Sequence, residues 1–212
     1  MAVTNTNFTF SALLALFLAA ISLFGLAEAG TRYPQVTLAQ LERALGNDCP
    51  PTTTSEAITC QGALPYINAA IKKYGLKSRG QRAAYISNMA YESGNLKYNH
   101  NLVTKSQGTR SMLPAVSLKQ FVEGNPDVQK LWPQYPTNVE TDTIVDVLIQ
   151  HKADFEPGAW WVISGPGCKE SSTGLSKSPA TFEHWERTCI FGGEDTIPDR
   201  IAKYKTTYDA IL

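Results

Sequence analysis

The chain has 212 residues, and its 19 Lys and Arg balance 19 Asp and Glu, so its formal net charge is zero. That balance argues against nucleic acid or an anionic membrane as partner, because both select a basic face. The length suits one domain with a real core, and no cluster of His and Cys at metal-ligand spacing suggests a metal or other cofactor.

The N-terminus carries the first signal. From Phe8 to Leu26 runs an almost unbroken apolar stretch, and Ala27-Glu28-Ala29 after it is a small-x-small cleavage pattern. Residues 1–29 read as a secretory signal peptide, with Gly30 as the mature N-terminus, although no Lys or Arg precedes the apolar run. An uncleaved anchor is the alternative, but the run is short for a span and no second one follows. Residues 30–212 are then a single extracellular domain, expected to be a monomer with no membrane contact.

Helix signals recur along the rest. Thr37-Leu38-Ala39-Gln40 is a capping box, and Gly46 stops its helix. Residues 61–74 carry apolar side chains at Leu64, Ile67, Ala70 and Ile71, ended by Gly75. A helix over about 79–93 follows. Ser117-Leu118-Lys119-Gln120 starts another, broken at Gly124-Asn125-Pro126. Thr137-Asn138-Val139-Glu140 opens one to about Lys152, with Ile144, Val147 and Leu148 on one stripe. Ser178-Pro179 begins a helix to Cys189, Pro being favoured in the first turn. The last begins at Thr196-Ile197-Pro198-Asp199. Stretches 50–55 and 164–179 read as loops. Any strand is short and falls between Asn95 and Arg110. The predicted fold is therefore mainly α, with at most a short β-hairpin.

Cysteines 49, 60, 168 and 189 all lie beyond the apolar run, an even count that reads as two disulfides. Three pairings are possible. Cys49–Cys60 and Cys168–Cys189 are favoured, since each closes a local loop.

The chemistry is expected at Glu92. It ends an apolar helix, Ala83 to Tyr91, and is followed by Ser93-Gly94-Asn95-Leu96. A carboxyl in such a place sits partly out of water, which favours its protonated form. Glycosidases need such a donor for the leaving glycosidic oxygen. The bland alternative is a helix-end acid paired with Arg110 or Lys97. Tyr91, Tyr98, Asn99 and His100 are of types that suit a sugar's CH faces and acetamido groups, and equally suit packing and turns. Ser93 has no His or Asp partner at a motif spacing, so a serine hydrolase is not indicated.

Glu92-Ser93-Gly94-Asn95-Leu96, then Asn99, then Gly108-Thr109-Arg110-Ser111-Met112-Leu113-Pro114-Ala115, resembles goose-type lysozymes and lytic transglycosylases. Further on, Gly158-Ala159-Trp160-Trp161, Cys189-Ile190-Phe191-Gly192-Gly193 and Asp199-Arg200-Ile201-Ala202-Lys203-Tyr204 resemble plant-type chitinases of the same lysozyme-like superfamily, and secreted fungal proteins without assigned activity. The resemblance spans residues 80–115 and 155–205. It implies an α+β lysozyme-like fold and a secreted glycosidase acting on a β-1,4-linked N-acetylhexosamine polymer, chitin or peptidoglycan, without a cofactor. Glu92 would be the general acid. Tyr91, Tyr98, Asn99, His100, Thr109, Arg110, Ser111 and Trp161 would line the polysaccharide or oligosaccharide site. Of Trp160 and Trp161, adjacent on a helix, one should be core and the other exposed, and Asp199 with Arg200 should form a buried clamp.

Departures from the pattern are informative. Thr109-Arg110-Ser111 replaces a Gly-Leu segment, and Leu113 stands where a Gln is expected. Plant-type chitinases use a second carboxylate, but residues 93–122 contain no Asp or Glu. An inverting enzyme needs that base about 6.5–9.5 Å from the acid; Glu123, Asp127 and Asp154 are the candidates, unless Glu92 serves as both acid and base. A secreted, non-catalytic glycan-binding or effector protein on the same fold is the alternative function.

Overall fold

The chain folds around one deeply buried helix. In the structure, a computed structural model that describes residues 34–132 and 141–212, this is α3, Arg79–Glu92, ten of whose residues are buried. Before it come α1 (Leu38–Ala44) and α2 (Cys60–Tyr74); after it come α4 (Ala115–Glu123) and the single turn α5 (Pro126–Gln129). Then follow α6 (Thr141–Gln150), α7 (Glu156–Ser164), α8 (Cys168–Thr173), α9 (Pro179–Trp185) and α10 (Ile197–Ala210). The described residues form one compact unit. Among the described residues no helix is long and apolar enough to cross a membrane. The expected signal peptide, its cleavage at Gly30 and the start of the Thr137 helix lie outside the described residues.

With ten of its fourteen residues buried, this helix is covered on most of its faces. α10, α7 and α8 pack on α3. Small residues on α3 allow the close approach: a Cβ on Gly80 would collide with the Leu175 carbonyl. Tyr85, fully buried in mid-helix, satisfies its hydroxyl by donating to the Phe155 carbonyl at 2.8 Å. Phe182 stacks on Tyr204 of α10 with ring centroids 4.1 Å apart, closing the far side of the core.

The local signals act as their chemistry demands. Thr37 and Gln40 form the reciprocal capping box, and Ser78 and Gln81 form a second one at the start of α3. Gly75 ends α2 in the left-handed conformation. Both local disulfides are present, Cys49–Cys60 and Cys168–Cys189, and no cysteine is free. Among the described residues strand structure is limited to isolated bridges, His100 with Gly108 and Gly108 with Leu113.

Three expectations need correction. The helix read from Ser117 begins two residues earlier, at Ala115, because the Pro114 carbonyl accepts the N–H of Ser117 at 2.9 Å and of Leu118 at 3.0 Å. The stretch 164–179, read as a loop, contains α8. The serines there do not break it, because Ser171 and Ser172 fold their hydroxyls back onto carbonyls of their own turn. Asp199 is exposed and forms no clamp with Arg200; it sits in the first turn of α10, while Arg200 turns inward.

Candidate active site

Glu92 is the last residue of α3, and the chain turns sharply behind it. Gly94, Asn95 and Leu96 all have positive φ, at 57°, 59° and 72°. Two of these are not glycine, so the turn needs support. Ser93, fully buried, gives it: its Oγ donates to the Met89 carbonyl at 2.6 Å and accepts the Leu96 N–H at 2.9 Å. The motif Glu92-Ser93-Gly94-Asn95-Leu96 is thus a device for ending a core helix abruptly with its final side chain at the surface.

That side chain is 21% exposed and faces a cleft of about 560 Å³, well inside the usual range for ligand sites. One wall is the 107–117 segment with Gln120 of α4; the other is Trp161 with the 189–193 segment. A smaller pocket of about 230 Å³ continues past Glu92 to His100, Asn101 and Leu102. Glu92, Gln107 and Met112 line both hollows, so Glu92 stands at their junction.

Glu92 does not pair with Arg110 or Lys97. Its partner is Arg200 of α10, whose Nη2 donates to Oε1 at 2.5 Å. Arg200 is held on every side: Nε donates to Thr196 Oγ1 at 3.1 Å, Nη1 to Asn88 Oδ1 at 2.9 Å, and the guanidinium lies 4.2 Å from the Tyr91 ring centroid. A second carboxylate approaches the same guanidinium. Glu186 is completely buried, with its Oε2 3.7 Å from Arg200 Nη1 and neither oxygen hydrogen-bonded. Burial, reinforced by the charge on Glu92, pushes its carboxyl up to about 7 against the pull of Arg200. Glu186 opens a π-helical turn, Glu186–Ile190, that continues α9. Such turns displace the side chains that an α-helix would present, and they recur at functional sites.

Arg110, expected to contact substrate or Glu92, bonds Asp154 instead of Glu92 and lines neither hollow. It is 5% exposed and bonds Asp154 through Nε at 2.9 Å; Nη1 donates to the carbonyls of Glu56, Leu96 and Tyr98 at 2.6, 3.2 and 3.1 Å. Its work is to lock the turn after Glu92 to the 110 segment. Asn99 is likewise buried, donating to the Ser55 carbonyl at 2.9 Å and meeting His100 Nδ1 at 2.8 Å through its Oδ1. Thr109 is fully buried in the left-handed region. Ser111 and Trp161 do line the main cleft, and His100 and Tyr98 the smaller pocket. Ser111 is pressed against Gly158 of α7, where any Cβ would collide with its Oγ. Trp161 is both core and wall: 7% exposed, it faces the cleft while its Nε1 donates to the Cys189 carbonyl at 3.2 Å. Trp160 packs on Phe121 instead, with ring centroids 5.7 Å apart. Tyr91 supports Arg200 from outside the cleft.

The proposed second carboxylates are elsewhere. Glu123 lies near Lys119, Asp127 bonds Lys130, and Asp154 belongs to Arg110. Among the described residues Glu92 is the one carboxylate lining either hollow. No group of three His, Cys, Asp or Glu among them could hold a metal. Sequence reasoning missed Glu186, Asn88, Gln107 and Gln120, and assigned Arg200 the wrong partner. No family model, curated protein or solved structure matches this chain.

Proposed function

We propose that the cleft binds a neutral N-acetylhexosamine polymer and that Glu92 donates the proton to the leaving glycosidic oxygen. In this reading the protein is a secreted relative of the lysozyme-like glycosidases. The observation that carries it is the position of Glu92: a helix-terminal carboxyl, partly exposed, at the junction of two hollows and oriented by a buried arginine. The lining supports the substrate class. Asn88, Gln107 and Gln120 offer amides, Ser111 and Ser117 hydroxyls, and Trp161 an aromatic edge, with few charges beyond Glu92 and Arg200. Leu102, Val116 and Phe191, all more than 60% exposed, provide apolar rims for the CH faces of the chain. With no second carboxylate among the described residues that line the cleft, Glu92 would also take the proton from the attacking hydroxyl. The two disulfides fit the oxidising compartment that secretion implies.

The sparse carboxylate count equally favours a second reading, a glycan-binding protein without turnover. One experiment separates them. Glu92→Gln should leave oligomer binding and thermal stability close to wild type, while cleavage of chitin or peptidoglycan falls by about 10²-fold or more, as for a lost general acid. A wild-type protein that binds chitin oligomers but cleaves neither polymer from acid to neutral pH is the binding protein. A variant whose activity falls only in step with unfolding removes Glu92 from the chemistry.

A further inference from the structure

Past Tyr98 lies a third hollow, of about 690 Å³, where the ends of α1 and α3 meet α10. Tyr98 lines both this hollow and the smaller pocket, just as Glu92 lines the smaller pocket and the main cleft. The three depressions therefore share walls in series. α10 supplies a cation to each end: Arg200 to the main cleft and, three residues on, Lys203 to the third hollow.

Lys203 is placed unusually for an ammonium. It is half-buried, its Nζ donates to Asn95 Oδ1 at 2.6 Å, and among the described residues no carboxylate lies within ion-pair distance of it. Asp48 and Lys97 line the same hollow; Asp48 attracts Lys203 from farther off but is already engaged through one oxygen by Lys97 Nζ at 2.8 Å and Asn95 Nδ2 at 2.9 Å. An ammonium has three donors, and here one is used. Burial without a bonded anion penalises the charged form, and the pKa of Lys203 is lowered, by burial first and by Lys97 as well. Asp199, also on the wall, is exposed. Tyr91 and Tyr98 give the hollow two aromatic sides.

We propose that this hollow is a carboxylate-binding site centred on Lys203, filled by the acidic substituent of a glycan chain that runs from the cleft past Tyr98. The glycan as carrier rests on the function proposed above; the carboxylate chemistry rests on Lys203 alone. A carboxylate here would take up donors of the Lys203 ammonium that Asn95 leaves unused. The site would make the protein prefer acid-substituted N-acetylhexosamine polymers, the peptidoglycan type, over unsubstituted chitin.

Calorimetric titration of the full chain at low salt tests this with three probes: neutral N-acetylglucosamine hexamer, a soluble peptidoglycan fragment of equal sugar count bearing free carboxylates, and N-acetyl-D-alanine. The acidic fragment should bind about tenfold more tightly than the neutral hexamer, the scale of one hydrogen bond to a charged group. Lys203→Gln should erase that advantage without changing hexamer affinity or the thermal melt, and Lys203→Arg should retain part of it. Equal affinities in the wild type, or an advantage that survives Lys203→Gln, overturn the proposal while leaving the cleft reading intact. If neither glycan binds, the cleft reading fails, and N-acetyl-D-alanine decides the site. Binding lost in Lys203→Gln supports a carboxylate site serving a separate ligand, and no binding overturns it.

Discussion

Arg110 and Arg200 are both less than a tenth exposed, both lie over an aromatic ring, and both meet a buried carboxylate. Arg110 has one acid, Asp154, on Nε, and directs Nη1 at three backbone carbonyls. Arg200 has two acids, Glu92 and Glu186, and its side chain borders the cleft. The first arrangement balances charge inside the core and fixes a turn. The second has one carboxylate too many. Glu186 stays protonated at low pH, and once ionised it competes with Glu92 for the same guanidinium. The difference separates a structural pair from a site that responds to its surroundings.

The largest expected effect tests the closed pair. Arg110→Met leaves Asp154 buried without its counter-charge and strips donors from the carbonyls of Glu56, Leu96 and Tyr98. Breaking a buried pair in this way costs about 3–5 kcal/mol. Burial already raises the Asp154 carboxyl above the usual range despite Arg110. Protonation is therefore its remaining outlet, and the loss should deepen as pH rises. Urea unfolding at acid and alkaline pH measures both. A loss under about 1 kcal/mol, the scale of an exposed pair, would mean that the two arginines do not differ as argued.

A smaller effect tests the open site. The carboxyl of Glu186 sits at about 7 in the fold against an ordinary 4.5. Between those values the unfolded chain has lost its proton and the folded one has kept it. The contribution of Glu186 to folding stability is thus fully present below about pH 4.5 and is lost as pH rises to about 7, by roughly 3 kcal/mol at 1.36 kcal/mol per unit. Glu186→Gln should remove that slope. Asp154, also raised, contributes a slope of the same sign in both proteins. The measurement is therefore the difference between wild type and variant, which should grow from pH 4.5 to 7. A pH-independent difference would show that Glu186 is ionised throughout.

These two arginines also mark where the sequence could be read and where it could not. Signals confined to a few residues were legible: the Thr37–Gln40 capping box, Gly75 at the end of α2, and the two local disulfides. Each depends on neighbours within a turn or a short loop. Glu92 was legible as a helix-end acid, but its partner lies 108 residues away and was sought among nearby cations. Arg110 is nearer in sequence, yet α3 ends in a turn that points Glu92 outward while Arg110 is drawn to Asp154. Glu186 carries no local signal. It lies in the last turn of the helix read from Ser178-Pro179 to Cys189, where nothing in the sequence marks the π-helical turn that begins at it. The Phe191-Gly192-Gly193 stretch and Arg200 were visible as a pattern, without the geometry that joins them to Glu92.

The smallest expected effect concerns the rings beneath the two arginines. Phe155, 5.5 Å from the Arg110 guanidinium, is 2% exposed and part of the core, so replacing it disturbs packing as well as charge. Tyr91 is only partly buried and lies closer to its arginine, at 4.2 Å. Tyr91→Leu keeps apolar bulk and removes the ring face, so the expected cost is that of a partly desolvated cation–π contact, about 1 kcal/mol in a thermal or urea melt. Arg200 would still be held by Asn88, Thr196 and Glu92. Any cleavage activity should therefore fall less than tenfold, well short of the Glu92→Gln effect. A Tyr91→Leu protein that folds normally but loses activity as completely as Glu92→Gln would show that the ring, rather than the hydrogen bonds, positions Arg200. The open site would then depend on its aromatic support as strictly as Arg110 depends on Asp154.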